Sequence, residues 1–280
     1  MKRNDYYQKM VSPIFARHTD SPFSSNKDFH YHDNYEIFLF LNGKAEAFVE
    51  QSRYTLVPGN LLIFNNQEIH KSSNLNTSTY ERITIHFHPA FVQPFPGCTT
   101  NLLECFENHL PGLHNITLLD SIQMKEYHSL AVKLIKLLNS DMYGKDVLTL
   151  TCLAELLLLT NDAFSHAKET FSEPFLGGVL TDVLSYIDNN LHSPLSLECI
   201  AQHLSVNKYY LSHQFKKQTG SSLYHFILIK KMALAKKLLT EGYSVLDVCE
   251  STGFNDYNNF IRTFKNYTGS SPGQYKKVPQ

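Results

Sequence analysis

The spacing of apolar positions changes character three times along the chain. Between residues 29 and 88 they fall in short runs of β-branched and aromatic side chains, at 35–41, 45–50, 53–57, 61–64 and 81–87. Asn42-Gly43 closes the first run as a hairpin signal, and Pro58-Gly59 separates two later ones. Many short strands at such spacing predict a sandwich or barrel. Residues 121–139 then place Leu130, Leu134, Leu137 and Leu138 at helical intervals, and residues 146–164 do the same with Leu150, Leu153 and Leu157. The short 141–144 join predicts an antiparallel helical pair. The second helix is apolar around most of its circumference, more than one barrel face can cover, so it is expected to form a homodimer interface, with an intrachain core as the alternative. Before the barrel, residues 1–27 read as a polar arm with Ile14, Phe15 and Phe23 as anchors. Residues 91–119, with three prolines, read as a connection holding one short helix at 102–109, and 165–178 as a linker.

The last third of the chain writes one pattern twice. Asn207, Leu211, Phe215, Lys216, Thr219 and Gly220 recur 49 residues later as Asp256, Phe260, Phe264, Lys265, Thr268 and Gly269. Internal similarity at a fixed period marks one supersecondary unit built twice. Asn and Asp cap the first turn of a helix and Gly ends it, so each copy predicts a capped helix of about a dozen residues. Its buried stripe is Leu211 with Phe215, or Phe260 with Phe264. A second short helix signal precedes each copy, with Ala201 or Cys249 small enough for a close crossing. Helix, tight turn, helix is the geometry that seats a second helix in a DNA major groove. A purely structural hairpin uses the same caps and stripe. Two copies joined by a helix over 222–239 favour the DNA reading.

These residues carry a resemblance. Residues 195–277 resemble the DNA-binding domain of the AraC/XylS transcription regulators, through 231–239 of the joining helix, Gly253-Phe254, Phe260, Arg262, Phe264-Lys265 and 269–272 ending at Pro272. Lys231 stands where that family usually has Arg, Cys249 where it has Ala, and Asn207 where it has Ser. The spacing His30-x-His32-x3-Glu36-x6-Gly43, with Pro58-Gly59 and His70 further on, resembles the first cupin motif and part of the second, with Asn66 in place of the usual Pro. The resemblance implies an α+β protein: arm 1–27, ligand-sensing cupin-like β-barrel 28–119, dimerisation helices 120–166, linker 167–180, and an all-α domain 181–280 with two helix-turn-helix motifs.

Composition modifies this picture in two places. The 280 residues carry a net charge of −1, but residues 180–280 hold 11 Lys and Arg against 7 Asp and Glu, leaving 14 against 19 for the rest. The basic surplus in the paired-helix half is the footprint of a nucleic-acid partner. Five scattered cysteines without a CxxC pair indicate reduced thiols in a cytoplasm. The polar N-terminus is no signal peptide, and the apolar run 147–160 falls short of a membrane span.

The reading residues follow from the faces of the two helices. Opposite the buried stripes lie Tyr209, Ser212 and His213 in the first, and Tyr257, Asn258, Asn259 and Arg262 in the second. Arg262 suits guanine, and Asn258 or Asn259 adenine. Lys208, Lys216, Lys217 and Lys265 are expected on phosphates. In the barrel, His30, His32, Glu36 and His70, with Arg82, are expected to bind a small polar effector, a carbohydrate by analogy of fold, without a metal or other cofactor. Arg82, Thr84, His86 and His88 share one strand face: inward, they join that pocket; outward, Ile83, Ile85 and Phe87 form the core and these residues are irrelevant. Bulk apolar packing favours the outward assignment. The expected function is a DNA-binding transcription regulator, not an enzyme. Two alternatives stand beside it, a metal-dependent cupin enzyme fused to a DNA-binding module and a ligand-independent regulator whose barrel only dimerises.

Overall fold

The computed structural model describes residues 12–20, 28–75, 79–92, 97–167 and 178–276. Among the described residues the β part holds eight strands: β1 (Ile14–Asp20), β2 (Tyr35–Gly43), β3 (Ala45–Val49), β4 (Ser52–Leu56), β5 (Asn60–Phe64), β6 (His70–Asn74), β7 (Tyr80–Phe87) and β8 (Ile116–Leu118). They form a five-stranded sheet in the order β1-β7-β2-β5-β8 and a three-stranded sheet in the order β4-β3-β6. Phe38, Phe40, Leu62 and Phe64 of the larger sheet meet Ala45, Ala47, Val49, Tyr54 and Leu56 of the smaller one, which fills the space between them.

The expected hairpin at Asn42-Gly43 does not form. β2 already pairs with β5 on one side and β7 on the other, so the chain crosses there into the second sheet, where β3 pairs with β4 and β6. Gly43 makes the corner: its φ is +119°, and a Cβ would strike the Thr79 carbonyl. Part of the expected arm is a strand, since β1 pairs along its whole length with β7. Sequence periodicity missed β6 and β8, which are short and polar or isolated. Phe23 and most of the expected linker lie outside the described residues.

The outer face of the larger sheet is covered by α2 (Ser121–Leu138) and α3 (Lys145–Ser165), which pack as the predicted pair, with the short α1 (Glu104–Glu107) beneath. Asp120 caps α2 in a reciprocal box with Gln123. Ile37, Leu39, Ile83, Ile85 and Phe87 bury against Tyr127, Ala131, Leu134, Cys152, Leu153 and Leu156. Two buried faces make β2 continuous in burial from Tyr35 to Phe40 and β7 continuous over its last three residues, Ile85 to Phe87. At 21 residues α3 is long and apolar enough to cross a membrane, contrary to the expectation for its run. Its buried half makes it a core helix, while Val147, Leu150 and Leu158 stay exposed on the other.

The remaining helices are α4 (Val179–Asn189), α5 (Leu197–His203), α6 (Lys208–Thr219), α7 (Leu223–Thr240), α8 (Val245–Ser251), α9 (Tyr257–Thr268) and α10 (Pro272–Tyr275). Sequence reasoning did not predict α4, whose Leu180, Val183, Leu184 and Ile187 supply one wall of the core that α5 to α9 share with it.

Candidate nucleic-acid interface and effector site

Each predicted recognition helix begins and ends where its cap residues stand. Asn207 Oδ1 accepts from the Tyr209 and Tyr210 amides, and Asp256 Oδ1 from Asn259. Gly220 and Gly269, at φ +71° and +77°, close the helices by donating to the Lys216 and Lys265 carbonyls at 2.8 and 2.9 Å. Leu211, Phe215, Phe260 and Phe264 are all fully buried. Thr219 and Thr268 extend the repeat, each hydroxyl donating to the carbonyl four residues back. The turns also match, but at an offset of 48: the Val206 amide reaches Ala201 and the Phe254 amide reaches Cys249. Asn255 is thus an extra residue, and the left-handed position is Ser205 in one turn and Gly253 in the other.

The helices lie so that the expected reading faces are open. Tyr209, His213, Tyr257, Asn258, Asn259 and Arg262 are exposed and Ser212 half-buried; Lys216, Lys217 and Lys265 are exposed around them. Arg262 Nη2 donates to Asn259 Oδ1 at 3.1 Å, which orients the guanidinium along the helix face. Lys208 is held by Glu198 at 2.8 Å, and the pair raises the ammonium's pKa and lowers the carboxyl's. The basic surplus is only partly an electrostatic footprint. Lys230, Lys231 and Lys236 are buried in α7. Lys231 Nζ donates to the Ser193 and Gly253 carbonyls at 2.9 and 3.1 Å, tying the segment before α5 to the α8–α9 turn. Burial holds its pKa down at about 8, where an Arg would stay charged.

In the β part, the structure brings His30, His32, Glu36 and His70 together: one donor atom from each lies within 4.8 Å of the others, and all four are buried. Glu36 Oε2 is 2.8 Å from His32 Nε2 and 3.2 Å from His70 Nε2. The other ring nitrogens are committed to backbone carbonyls: His30 Nδ1 to Asp28 at 3.1 Å, His32 Nδ1 to Asn34 at 2.7 Å and His70 Nδ1 to Glu68 at 3.0 Å. A carbonyl only accepts, so each Nδ1 carries the hydrogen, and a neutral ring then presents a lone pair at Nε2. Two such lone pairs facing a carboxylate repel it unless positive charge lies between them. That charge is either protons, making imidazolium, or a cation bound by the cluster. Burial alone would raise the Glu36 carboxyl, but His86, His32 and His70 around it outweigh that and hold it well below its usual range. Three imidazoles oriented by carbonyls plus one carboxylate form a donor set that fits Zn²⁺ or another divalent first-row ion.

Comparison with known proteins then decides the family. Residues 200–277 match a helix-turn-helix domain model and residues 11–125 an AraC-like ligand binding domain model. The multiple antibiotic resistance protein MarA of Escherichia coli (strain K12) is 39% identical over 95 residues, which is 34% of this chain and 75% of that protein. This chain belongs to the AraC family of transcription regulators. The helix-turn-helix-type transcriptional regulator YbfI of Bacillus subtilis (strain 168) matches along more of it, 26% identical over 232 residues, covering 82% of this chain and 80% of that one. Among solved structures, the DNA-binding domain of AdpA in complex with a target DNA is 25% identical, covering 36% of this chain and 91% of that one at a TM-score of 0.34.

Around the cluster, β7 departs from the sequence expectation. The face of β7 that was expected to point outward lines the interior, because α2 and α3 cover the opposite face. His86 pairs in register with Glu36, its Nδ1 is 3.7 Å from the carboxylate, and its ring lies 4.9 Å from that of His32. The antiparallel register of β2 with β7 was the missing signal. Arg82 occupies the same face but stacks its guanidinium 4.1 Å over Tyr80 and donates to the Tyr80 carbonyl at 3.3 Å, apart from the four-residue cluster. His88 caps the turn at Pro89–Phe91 instead.

Proposed function

We propose that this AraC-family regulator acts in the cytoplasm as a homodimer, reads double-stranded DNA through α6 and α9, and responds to a small polar effector in its β domain, without itself being an enzyme. The observation that carries the reading is a pair of capped helices, 49 residues apart in sequence, whose apolar stripes are fully buried while Tyr209, His213, Tyr257, Asn258 and Arg262 are exposed. Phosphate contacts from Lys208, Lys216, Lys217 and Lys265 set affinity and salt dependence, and the face residues set sequence preference. Arg262→Ala is expected to weaken specific binding by about 1–3 kcal/mol and to relax preference at one base pair. Footprinting and competition titration against single-base variants of the protein's upstream DNA check this; an equal loss on every sequence assigns Arg262 to phosphate.

The exposed apolar side of α3 supports the dimer. Leu158→Glu is expected to shift the protein toward monomer in sedimentation, since a charge in the centre of an apolar interface is left unpaired. A carbohydrate effector rests on analogy of fold alone. The orientation of the three Nδ1 hydrogens favours a second reading, a divalent ion held by His30, His32, Glu36 and His70, which would supply the positive charge that Glu36 and the Nε2 atoms face. Metal analysis of the purified protein, with thermal shifts in Zn²⁺ and in sugars, separates the two.

A further inference from the structure

The segment 28–33 has two sides, and each meets a different part of the protein. His30 and His32 turn toward Glu36, while Phe29, Tyr31 and Asp33, alternating with them, turn toward the DNA-binding domain. Phe29 packs edge-on against Phe226 of α7 at 5.0 Å, and Tyr31 lies under Lys236 Nζ at 4.6 Å. Asp33 pairs with Lys236 and accepts from the Tyr275 hydroxyl at 3.2 Å. At the start of the segment, Asp28 accepts from Ser221 and sits 3.9 Å from His225. β6 repeats the arrangement one strand over. His30 and His70 exchange backbone hydrogen bonds at 3.1 Å in each direction. His70 then points to Glu36, while the next residue, Lys71, sends Nζ to the Thr219 carbonyl at the end of α6, at 2.8 Å.

We propose that residues 28–33 together with His70-Lys71 form a connector that couples the state of the His30/His32/Glu36/His70 cluster to the docking of α7 and the end of α6. The proposal rests on the reading of that cluster as the effector site. Its physical basis is a shared backbone: whatever fixes or frees the two imidazoles of an extended segment acts on the residues that alternate with them. The docked side is not free to slide by small steps. Phe29, Tyr31, Phe48 and Ile69 share one core with α7, and Lys71 and Lys236 are buried, so undocking must release them together. α7 spans roughly 27 Å and separates the two recognition helices. Its docking therefore governs how α6 and α9 are presented to neighbouring grooves.

Hydrogen exchange on the full chain, with and without Co²⁺, tests the connector, because Co²⁺ absorption reports ligation independently of any effect on α7. Occupancy fixes the connector, so amides 226–236 are expected to exchange at least about five-fold more slowly, the low end of ordinary site-to-site coupling. By reciprocity, Lys236→Met, which alters none of the four cluster residues, is expected to weaken Co²⁺ binding by a similar factor. Ligation that leaves both α7 exchange and the Lys236→Met affinity unchanged overturns the proposal. Should Co²⁺ not ligate at all, the divalent-ion reading fails and Glu36→Gln decides the connector separately. Faster exchange at 226–236 with unaltered exchange in α2 upholds it, and no change at 226–236 overturns it. His30→Gln serves as the same test if Glu36→Gln does not fold.

Discussion

Phe264→Ala is expected to cost about 3–5 kcal/mol, the range for truncating a buried aromatic, and to disable the second recognition helix. The ring is fully buried, 5.9 Å from Phe260 and 5.6 Å from Tyr275. A helix of 12 residues has little stability of its own in water, so α9 depends on the face it buries. Losing Phe264 leaves a cavity under the middle of that face and loosens α10, whose Tyr275 also holds Asp33. Urea unfolding followed by circular dichroism should show the lower midpoint. Footprinting should show protection kept at the site of α6 and lost at that of α9. Tyr257→Ala, on the exposed side of the same helix, should stay within about 0.5 kcal/mol, and an equal loss there would falsify the assignment of the apolar stripe.

Gly253→Ala is expected to destabilise the DNA-binding domain by about 2–5 kcal/mol. Two separate costs add. The residue sits at φ +64°, a left-handed conformation that costs an L-residue roughly 1–2 kcal/mol. A Cβ there would also run into the Ser193 carbonyl and approach Lys231 Nζ to 2.9 Å. The obstacle is backbone, so relief requires moving the segment before α5 away from the α8–α9 turn, an overpacking cost of about 1–3 kcal/mol. Lys231 fastens those same two carbonyls, and the change should weaken that seam as well. Ser205, at φ +54° in the other turn, supplies the contrast: Ser205→Gly relieves a left-handed side chain and should be neutral or mildly stabilising. Thermal denaturation of both variants beside the parent checks the pair.

The two halves were unequally legible in the sequence. The recognition helices could be placed to the residue because each is bounded by local chemistry: Asn207 and Asp256 cap, Gly220 and Gly269 stop, and the buried stripe repeats between them. In the β domain β2 to β5 and β7 were legible as strands, but not which of them pair. Asn42-Gly43 has the composition of a tight hairpin, yet pairing depends on which strand edges are already taken, and β2 has both edges occupied. His86 shows the same limit. The alternation along β7 marks two faces, but only the placement of α2 and α3 on one of them makes the other an interior.

The charges of α7 make the point for function. Counting Lys and Arg locates a basic half, and three of those cations, Lys230, Lys231 and Lys236, turn out to be buried. Lys230 pairs with Glu50 and Asp188, and Lys236 with Asp33, so two acidic partners come from the β domain. The sequence by itself determined where helices start and stop, which side of each is apolar, and therefore which residues can face DNA, because caps, glycines and periodicity act over a turn or two of chain. Only the tertiary structure decided what His30, His32, Glu36, His70 and His86 do together and that the segment 28–33, which carries two of them, also grips α7. Those contacts join residues up to about 200 positions apart, and no local preference encodes which distant partner a buried charge or imidazole will find.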